Sequence, residues 1–534
     1  MWPAFRLRGP PRSFDPVVPG GVTFTAVVSK RPAFFVFLFV VALAALPHLR
    51  AVVAPPRGQS YVGTFLSRED FYNYLGYVQQ AEDGSWLFVN KLDTEAQRPV
   101  MLNLEWWLVG RLSALLGRRP LVAFWVLGLL ATGALLAAAN RWLRLAGLAE
   151  PWRARALLLI FLGGGLGGLR YQVLGPPAWR SLDLIAGLFP FIEIVANPHF
   201  VTATALLAWA LLALQGASPR AQLAGVALGT ALGLSRPYDL VLLVGIRGLA
   251  VLLCEPRGLW LKRLSPLAGL LPVVAYLYWL FYRSGAFATF FSGYVSFPAI
   301  DLAVALGPAV LLVALVWRPR KWGSEGHAPE AHLAAWAAIG IFLLVVRPVG
   351  FYFQALVGIG LPLLALAALG LGRLRPVFTL TVAALMSTTS LVALHIFLGD
   401  QPRWYVPREN KLAALALRAV CRPGDVALSQ PDIGLLALAY SPCKAYVSER
   451  HRPEDREHEA AQFYGAGTPE WRAAFLERAA MVAIVLPGDP GERPTEWLGP
   501  ETSVRKVATV GAFPRQLTVY SKADRTSGAP ASSP

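Results

Sequence analysis

The chain predicts a mainly α fold, a polytopic transmembrane helical bundle of about eleven spans over residues 33–400, followed by a small extracytoplasmic α/β domain over 401–522. Three observations predict it. Of the 534 residues, 55% are hydrophobic and only 15% charged, and mean hydropathy is +0.49. A soluble domain is about 25% charged. The deficit lies between residues 33 and 399, as apolar runs close to the ~20 residues that cross a hydrocarbon core. After about residue 404 ordinary polarity returns. These three together exclude a soluble enzyme.

Residues 1–32 are polar and rich in Pro and Gly, and read as a cytoplasmic segment. The first apolar run, from Pro32 to about Pro47, has no small-residue cleavage site and reads as a signal anchor. The expected spans are 33–50, 120–140, 155–172, 199–216, 221–235, 238–255, 264–283, 301–317, 331–347, 353–371 and 377–398. The fifth and sixth are short and joined by Ser235-Arg236-Pro237-Tyr238-Asp239, as a tight hairpin or a broken, re-entrant pair. Arg247 inside the sixth requires a partner or a wet cavity at that depth. The glycine run 163–168 suits close helix packing better than phosphate binding.

The net charge of +17 would suggest nucleic acid in a soluble protein. Here the basic residues lie in short loops, so they set orientation instead. A cytoplasmic N-terminus places Arg141, Arg144, Arg153, Arg155, Arg220, Arg257, Lys262, Arg263, Arg318, Arg320, Lys321, Arg373 and Arg375 inside. Apart from the long first loop, only Arg170, Arg180, Arg236, Arg283 and Arg347 then fall outside. An odd number of spans puts the C-terminal domain outside, with the first loop, 51–119. The expectation is a multi-pass cell-membrane protein with membrane lipid, and no nucleic acid, as partner.

That first loop is long where connections are usually short, and such loops tend to be functional. It carries Glu69, Asp70, Glu82, Asp83, Asp93, Glu95 and Glu105. Its segment 102–112, with Trp106 and Trp107, reads as an interfacial helix forming a collar against lipid. In the C-terminal domain, 425–429, 480–487 and 517–520 read as strands, and 408–420 and 453–479 as helices. His451 and the charged run 452–459 read as a solvated helix face. The tail, 523–534, has a disordered composition. Cys421 and Cys443 can pair in an oxidising compartment, and no cysteine has metal-site spacing.

No phosphate loop, dinucleotide fingerprint or zinc spacing is present. The candidate site is a set of polar residues at the outer ends of spans. Glu69 and Asp70 precede Phe71-Tyr72-Asn73-Tyr74-Leu75; Glu193 and His199 flank Asn197-Pro198; Arg236 and Asp239 mark the hairpin tip; Arg347 precedes Pro348, Gly350 and Tyr352. Each has a plain structural account. Asp70 caps a helix beginning at Phe71, Arg236 and Asp239 pair across a turn, Arg347 snorkels, and His199 bonds within packed helices. Their common side, beside an acidic loop, favours function. A carboxylate there can take a proton from a hydroxyl, and arginines can stabilise a departing phosphate.

The arrangement resembles the GT-C superfamily of polytopic membrane glycosyltransferases, in particular a bacterial branch. The resemblance rests on the topology and on short patches: Arg68-Glu69-Asp70-Phe71-Tyr72-Asn73-Tyr74-Leu75, Ala81-Glu82-Asp83-Gly84-Ser85-Trp86-Leu87-Phe88, Asn197-Pro198-His199-Phe200, Arg236-Pro237-Tyr238-Asp239 and Tyr405-Val406-Pro407-Arg408. It implies inverting transfer of a sugar from a polyprenyl-phosphate-linked donor to a glycan, protein or lipid acceptor of the cell envelope, on the extracytoplasmic face. It implies Asp70 as catalytic base, with Glu69 as helper or metal ligand. By position, Glu193, His199, Arg236, Asp239, Arg347 and Tyr352 would contact donor phosphate or acceptor. The resemblance fixes no cofactor. A divalent metal stays open, because there is no Asp-x-Asp and adjacent acids on a helix do not share a face. Two other readings stand beside this one, a transporter or flippase of a lipid-linked or polar substrate, and a non-catalytic envelope-binding scaffold.

Overall fold

A computed structural model of the chain describes residues 31–65, 67–175, 181–185, 187–284, 298–318, 328–347, 354, 356–372, 376–448, 453–479, 481–487, 498, 504–511 and 516–522. Helix α1, Arg31–Val53, runs through Pro47 and past the expected end of the first span. Strand β1, Gln59–Tyr61, and helices α2, Arg68–Glu82, and α3, Leu104–Leu115, make up the first loop. Helix α4, Pro120–Leu145, follows, then α5, Glu150–Leu162, and α6, Gly167–Leu174, with a 47° bend between them. Two short helices, α7, Leu182–Ile185, and α8, Pro190–Ala196, precede α9, Pro198–Gln215, α10, Pro219–Ser235, and α11, Tyr238–Cys254. The apolar part ends with α12, Arg257–Tyr282, α13, Ala299–Val316, α14, Ala328–Val346, α15, Gly360–Leu371, and α16, Val377–Phe397.

The helix starts are encoded locally. α4, α9 and α10 each place proline in the first turn, where its missing N–H costs nothing. Asn197 caps α9, its side chain accepting from the His199 N–H at 3.2 Å, and Ser218 caps α10 in the same way at 3.2 Å. Every expected apolar run coincides with a helical stretch. Among the described residues seven helices are long and apolar enough to cross a membrane, and the bent α5–α6 pair makes an eighth. α10 and α11, with 17 residues each, and α15, with 12, fall short of that length. The glycine run breaks what the sequence reads as one span, 155–172. A Cβ on Gly165, Gly167 or Gly168 would overlap Ala305, Asp183 and Thr389 respectively, so these glycines serve packing. Arg247 finds its partners in His332 Nε2 at 3.0 Å and the Arg263 carbonyl at 3.3 Å.

After α16 come β2, Tyr405–Pro407, α17, Arg408–Ala416, β3, Val426–Leu428, α18, Pro431–Tyr440, β4, Lys444–Ala445, α19, Glu454–Tyr464, α20, Pro469–Arg478, β5, Met481–Pro487, β6, Val504–Val510, and β7, Leu517–Lys522. Five strands form a sheet in the order β4-β3-β5-β7-β6. β3 is parallel to β4 and β5, and β7 is antiparallel to β5 and β6. All three expected strands are present. The expected helix 453–479 is two helices, parted around Gly465 and Gly467. His451 and Arg452 lie outside the described residues, and α19 carries the rest of that charged run. Cys421 and Cys443 are joined, with their Cα atoms 5.5 Å apart.

The first loop is fastened to the C-terminal region. β1 pairs antiparallel with β2, Tyr61 opposite Tyr405. Arg50 grips Asp400 with two hydrogen bonds of 2.8 and 3.1 Å. Lys91, 3% exposed, donates to the carbonyls of Leu438 and Ser441, each at 2.5 Å, and to Gln79 Oε1 at 3.1 Å. Three acceptors thus match the three donors of an ammonium. α18 packs on α2 so closely that a Cβ on Gly76 would lie 3.2 Å from the Leu438 carbonyl.

Candidate functional site

The site builds up from the start of α2. Ser67, and not Asp70, caps this helix, which begins three residues before Phe71. The Ser67 hydroxyl accepts from the Asp70 N–H at 3.2 Å and donates to Glu69 Oε2 at 3.0 Å. Glu69 and Asp70 therefore occupy the first turn, where the helix dipole favours acids. Phe71, Tyr72, Leu75 and Val78 bury the inner face. Asp70 and Tyr74, four apart, share the other one and stay partly exposed.

Tyr74 leads to the next layer. Its ring stacks on Trp106 at 4.6 Å and lies 5.3 Å from the His199 ring. Trp106 lies 4.7 Å from His199. α3, expected as a lipid-facing collar, thus buries one face in protein and helps to wall the site, while Leu108 and Leu115 stay exposed. Asn103 sets its angle. Its Oδ1 accepts from the Trp106 N–H at 3.0 Å, and its Nδ2 donates to the Ser235 carbonyl at 2.8 Å. Glu105, 1% exposed, holds His199 Nδ1 at 2.6 Å. That contact assigns the Nδ1 proton to the carboxylate side and leaves Nε2 for a second partner.

Arg236 and Asp239 do pair, as the plain account expects, but both are buried, at 1% and 2% exposure. The guanidinium also donates to the Gln354 main-chain oxygen at 3.2 Å and to the Gln354 side chain. It sits 5.4 Å from the Phe200 ring centre and 5.5 Å from that of Tyr238. A charge this deep persists only when caged by partners of this kind. Glu193, fully buried on α8, accepts from the Gly358 N–H at 2.8 Å and from the Thr204 hydroxyl at 3.2 Å. Burial pushes its carboxyl up to about 8, with the Arg236 charge opposing and the Asp239 charge adding to the rise.

No protein-family profile matches the chain, and no curated protein matches it. Solved structures do. The crystal structure of ArnT from Cupriavidus metallidurans bound to undecaprenyl phosphate superposes with a TM-score of 0.53 at 15% identity, over 90% of this chain and 98% of that one. The apo form of the same protein gives 0.51 at 16% identity, over 91% and 98%. The chain shares the fold of this ArnT. The likeness takes in both the apolar bundle and the C-terminal sheet, and with the apolar helices it makes this a multi-pass membrane protein.

Within this fold, Glu193, His199, Arg236 and Asp239 come together from α8, α9 and the α10–α11 corner. Arg347 stands exposed at the end of α14, with φ of 54°, and Tyr352 lies outside the described residues. Glu105, Tyr74, Trp106 and Gln354 were not expected in the site. The available signal was Glu105 itself, a lone acid within the apolar run 102–112. Among the described residues no three His, Cys, Asp or Glu side chains gather closely enough to hold a metal. Glu105 and His199 supply two donors.

Proposed function

We propose that the chain is an inverting glycosyltransferase that moves a sugar from a polyprenyl-phosphate-linked donor to an acceptor of the cell envelope, on the extracytoplasmic face. The observation that carries this is the caged Arg236, together with a His199 that Glu105 holds and that packs on Tyr74, which shares its helix face with Asp70, all within the fold of a protein crystallised with undecaprenyl phosphate. Asp70 takes the proton of the acceptor hydroxyl. The acceptor oxygen attacks the anomeric carbon from the face opposite the phosphate, and the bond from that carbon to the phosphate oxygen breaks. Arg236 and the Nε2 side of His199 then stabilise the negative charge gathering on the polyprenyl phosphate. Glu69 supports the turn that holds Asp70, while Arg347 and, by its place in the sequence alone, Tyr352 are assigned to donor or acceptor. The Cys421–Cys443 bond supports an oxidising compartment for the C-terminal region, with the N-terminus cytoplasmic.

Asp70→Asn in the purified full-length protein tests the reading. With radiolabelled polyprenyl-phosphate sugars and a membrane extract as acceptor, transfer should fall by at least about 100-fold, the low end for loss of an acid–base group, with insertion and melting unchanged. Undiminished transfer would remove Asp70 from the role. The transporter reading drew on Arg236, Asp239 and Arg247 near the broken pair 221–255. The hydrogen bonds of Arg247 to His332 and Arg263 favour a structural role for it. Label carried across a proteoliposome bilayer, with no transfer, would restore transport as the leading account.

A further inference from the structure

α4 starts beside the candidate site and ends, at Leu145, on the opposite side of the bundle. There α5, α15 and α16 line an open, shallow groove with about 60 Å3 of internal space, formed by Trp152, Arg155, Leu159, Leu371, Thr379 and Ala383 among others. Its deeper wall is aliphatic, and only its mouth is charged. The Arg155 guanidinium lies over the Trp152 ring at 4.8 Å, which keeps an exposed cation at the entrance. Such a Trp–Arg pair suits the headgroup layer.

The charge at this end is one-sided. Residues 141–155 contain Arg141, Arg144, Arg153 and Arg155 against a single acid, Glu150. Glu150 is taken by Arg153, and Arg144 lies close enough to repel Arg153. Arg155 is thus left exposed on the wall of the groove, in a surround that attracts anions. Basic pockets between transmembrane helices bind anionic headgroups. We propose that this groove is a binding site for an anionic phospholipid of the leaflet opposite the candidate active site, with its phosphate on Arg155 and one acyl chain along Leu159, Leu371 and Ala383. The site does not depend on the catalytic reading. It does touch the same machinery, because α15 runs from the groove back to Gly358, whose N–H holds Glu193.

The test uses the full-length protein in nanodiscs containing equal palmitoyl-oleoyl phosphatidylglycerol and phosphatidylcholine, with release into native mass spectrometry. Wild type should retain phosphatidylglycerol over phosphatidylcholine by at least about fivefold, as one arginine near a charged headgroup contributes. Arg155→Gln, a surface change that leaves packing intact, should abolish the preference. Ala383→Trp, which fills the groove, should reduce retention of both lipids. Equal retention of the two lipids by wild type, or an unchanged preference in Arg155→Gln, would overturn the site.

Discussion

His199 shows how one residue's role is set by its neighbours. Glu105 fixes its tautomer from below, and two aromatic rings confine it from the sides. Glu105→Gln keeps the shape and removes the carboxylate that holds the His199 Nδ1 side. We expect transfer to fall about 10–100-fold, the usual cost of losing a carboxylate that orients a histidine, with little change in melting. Glu193 gives a pH signature. Its carboxyl is raised to about 8 from an ordinary 4.5, so the folded protein holds a proton there that the unfolded chain releases. Folding stability from this group is therefore full below about pH 4.5 and is lost as pH rises through about 8. Melting followed from pH 5 to 8.5 should show a decline that Glu193→Gln flattens. Glu193 and His199 were legible in the sequence because polar groups stand out among apolar ones. Glu105 was not, since the same helix reads equally well as lying on lipid, and only tertiary contact decides between the two.

At the scale of elements, the α10–α11 corner and α3 are one unit. Asn103 reaches from its cap position to the last carbonyl of α10, one residue before Arg236. Asn103→Ala should cost about 1–2 kcal/mol as a lost cap and also loosen the corner. The expected readout is a raised KM for donor with the helix content of the circular dichroism spectrum unchanged. α10, with 17 residues, is only about 25 Å long, a little less than a hydrocarbon core. Its shortness places Arg236 below the level that a full-length span would reach. The apolar runs made these helices legible in order, while against the eleven expected spans only seven helices and one bent pair among the described residues have span length. The five-stranded sheet was less so. β4 has two residues and β6 alternates weakly, so neither carries a pattern strong enough to read.

Across the whole molecule, the pairing of β1 with β2 constrains the topology. The first loop and the C-terminal region touch, so the chain must cross the membrane an even number of times between them. α4, the α5–α6 pair and α9 through α16 make ten stretches, which satisfies this. The helices of full span length, with the bent pair, leave an odd number after α1, which does not. Cysteines placed at Ala96 and Ala474 in a Cys254→Ser background should both react with a membrane-impermeant maleimide from the extracytoplasmic side, and one at Gly258 should not. Labelling of Ala96→Cys and Ala474→Cys from opposite sides would contradict the pairing. The same pairing also bears on biosynthesis. Gln59 meets Pro407 only after nearly the whole apolar region has left the ribosome, on the order of tens of seconds later at ordinary elongation rates. The loop carrying Asp70 must wait that long for its partner, so the proposed site is completed late and a truncated chain would insert without it.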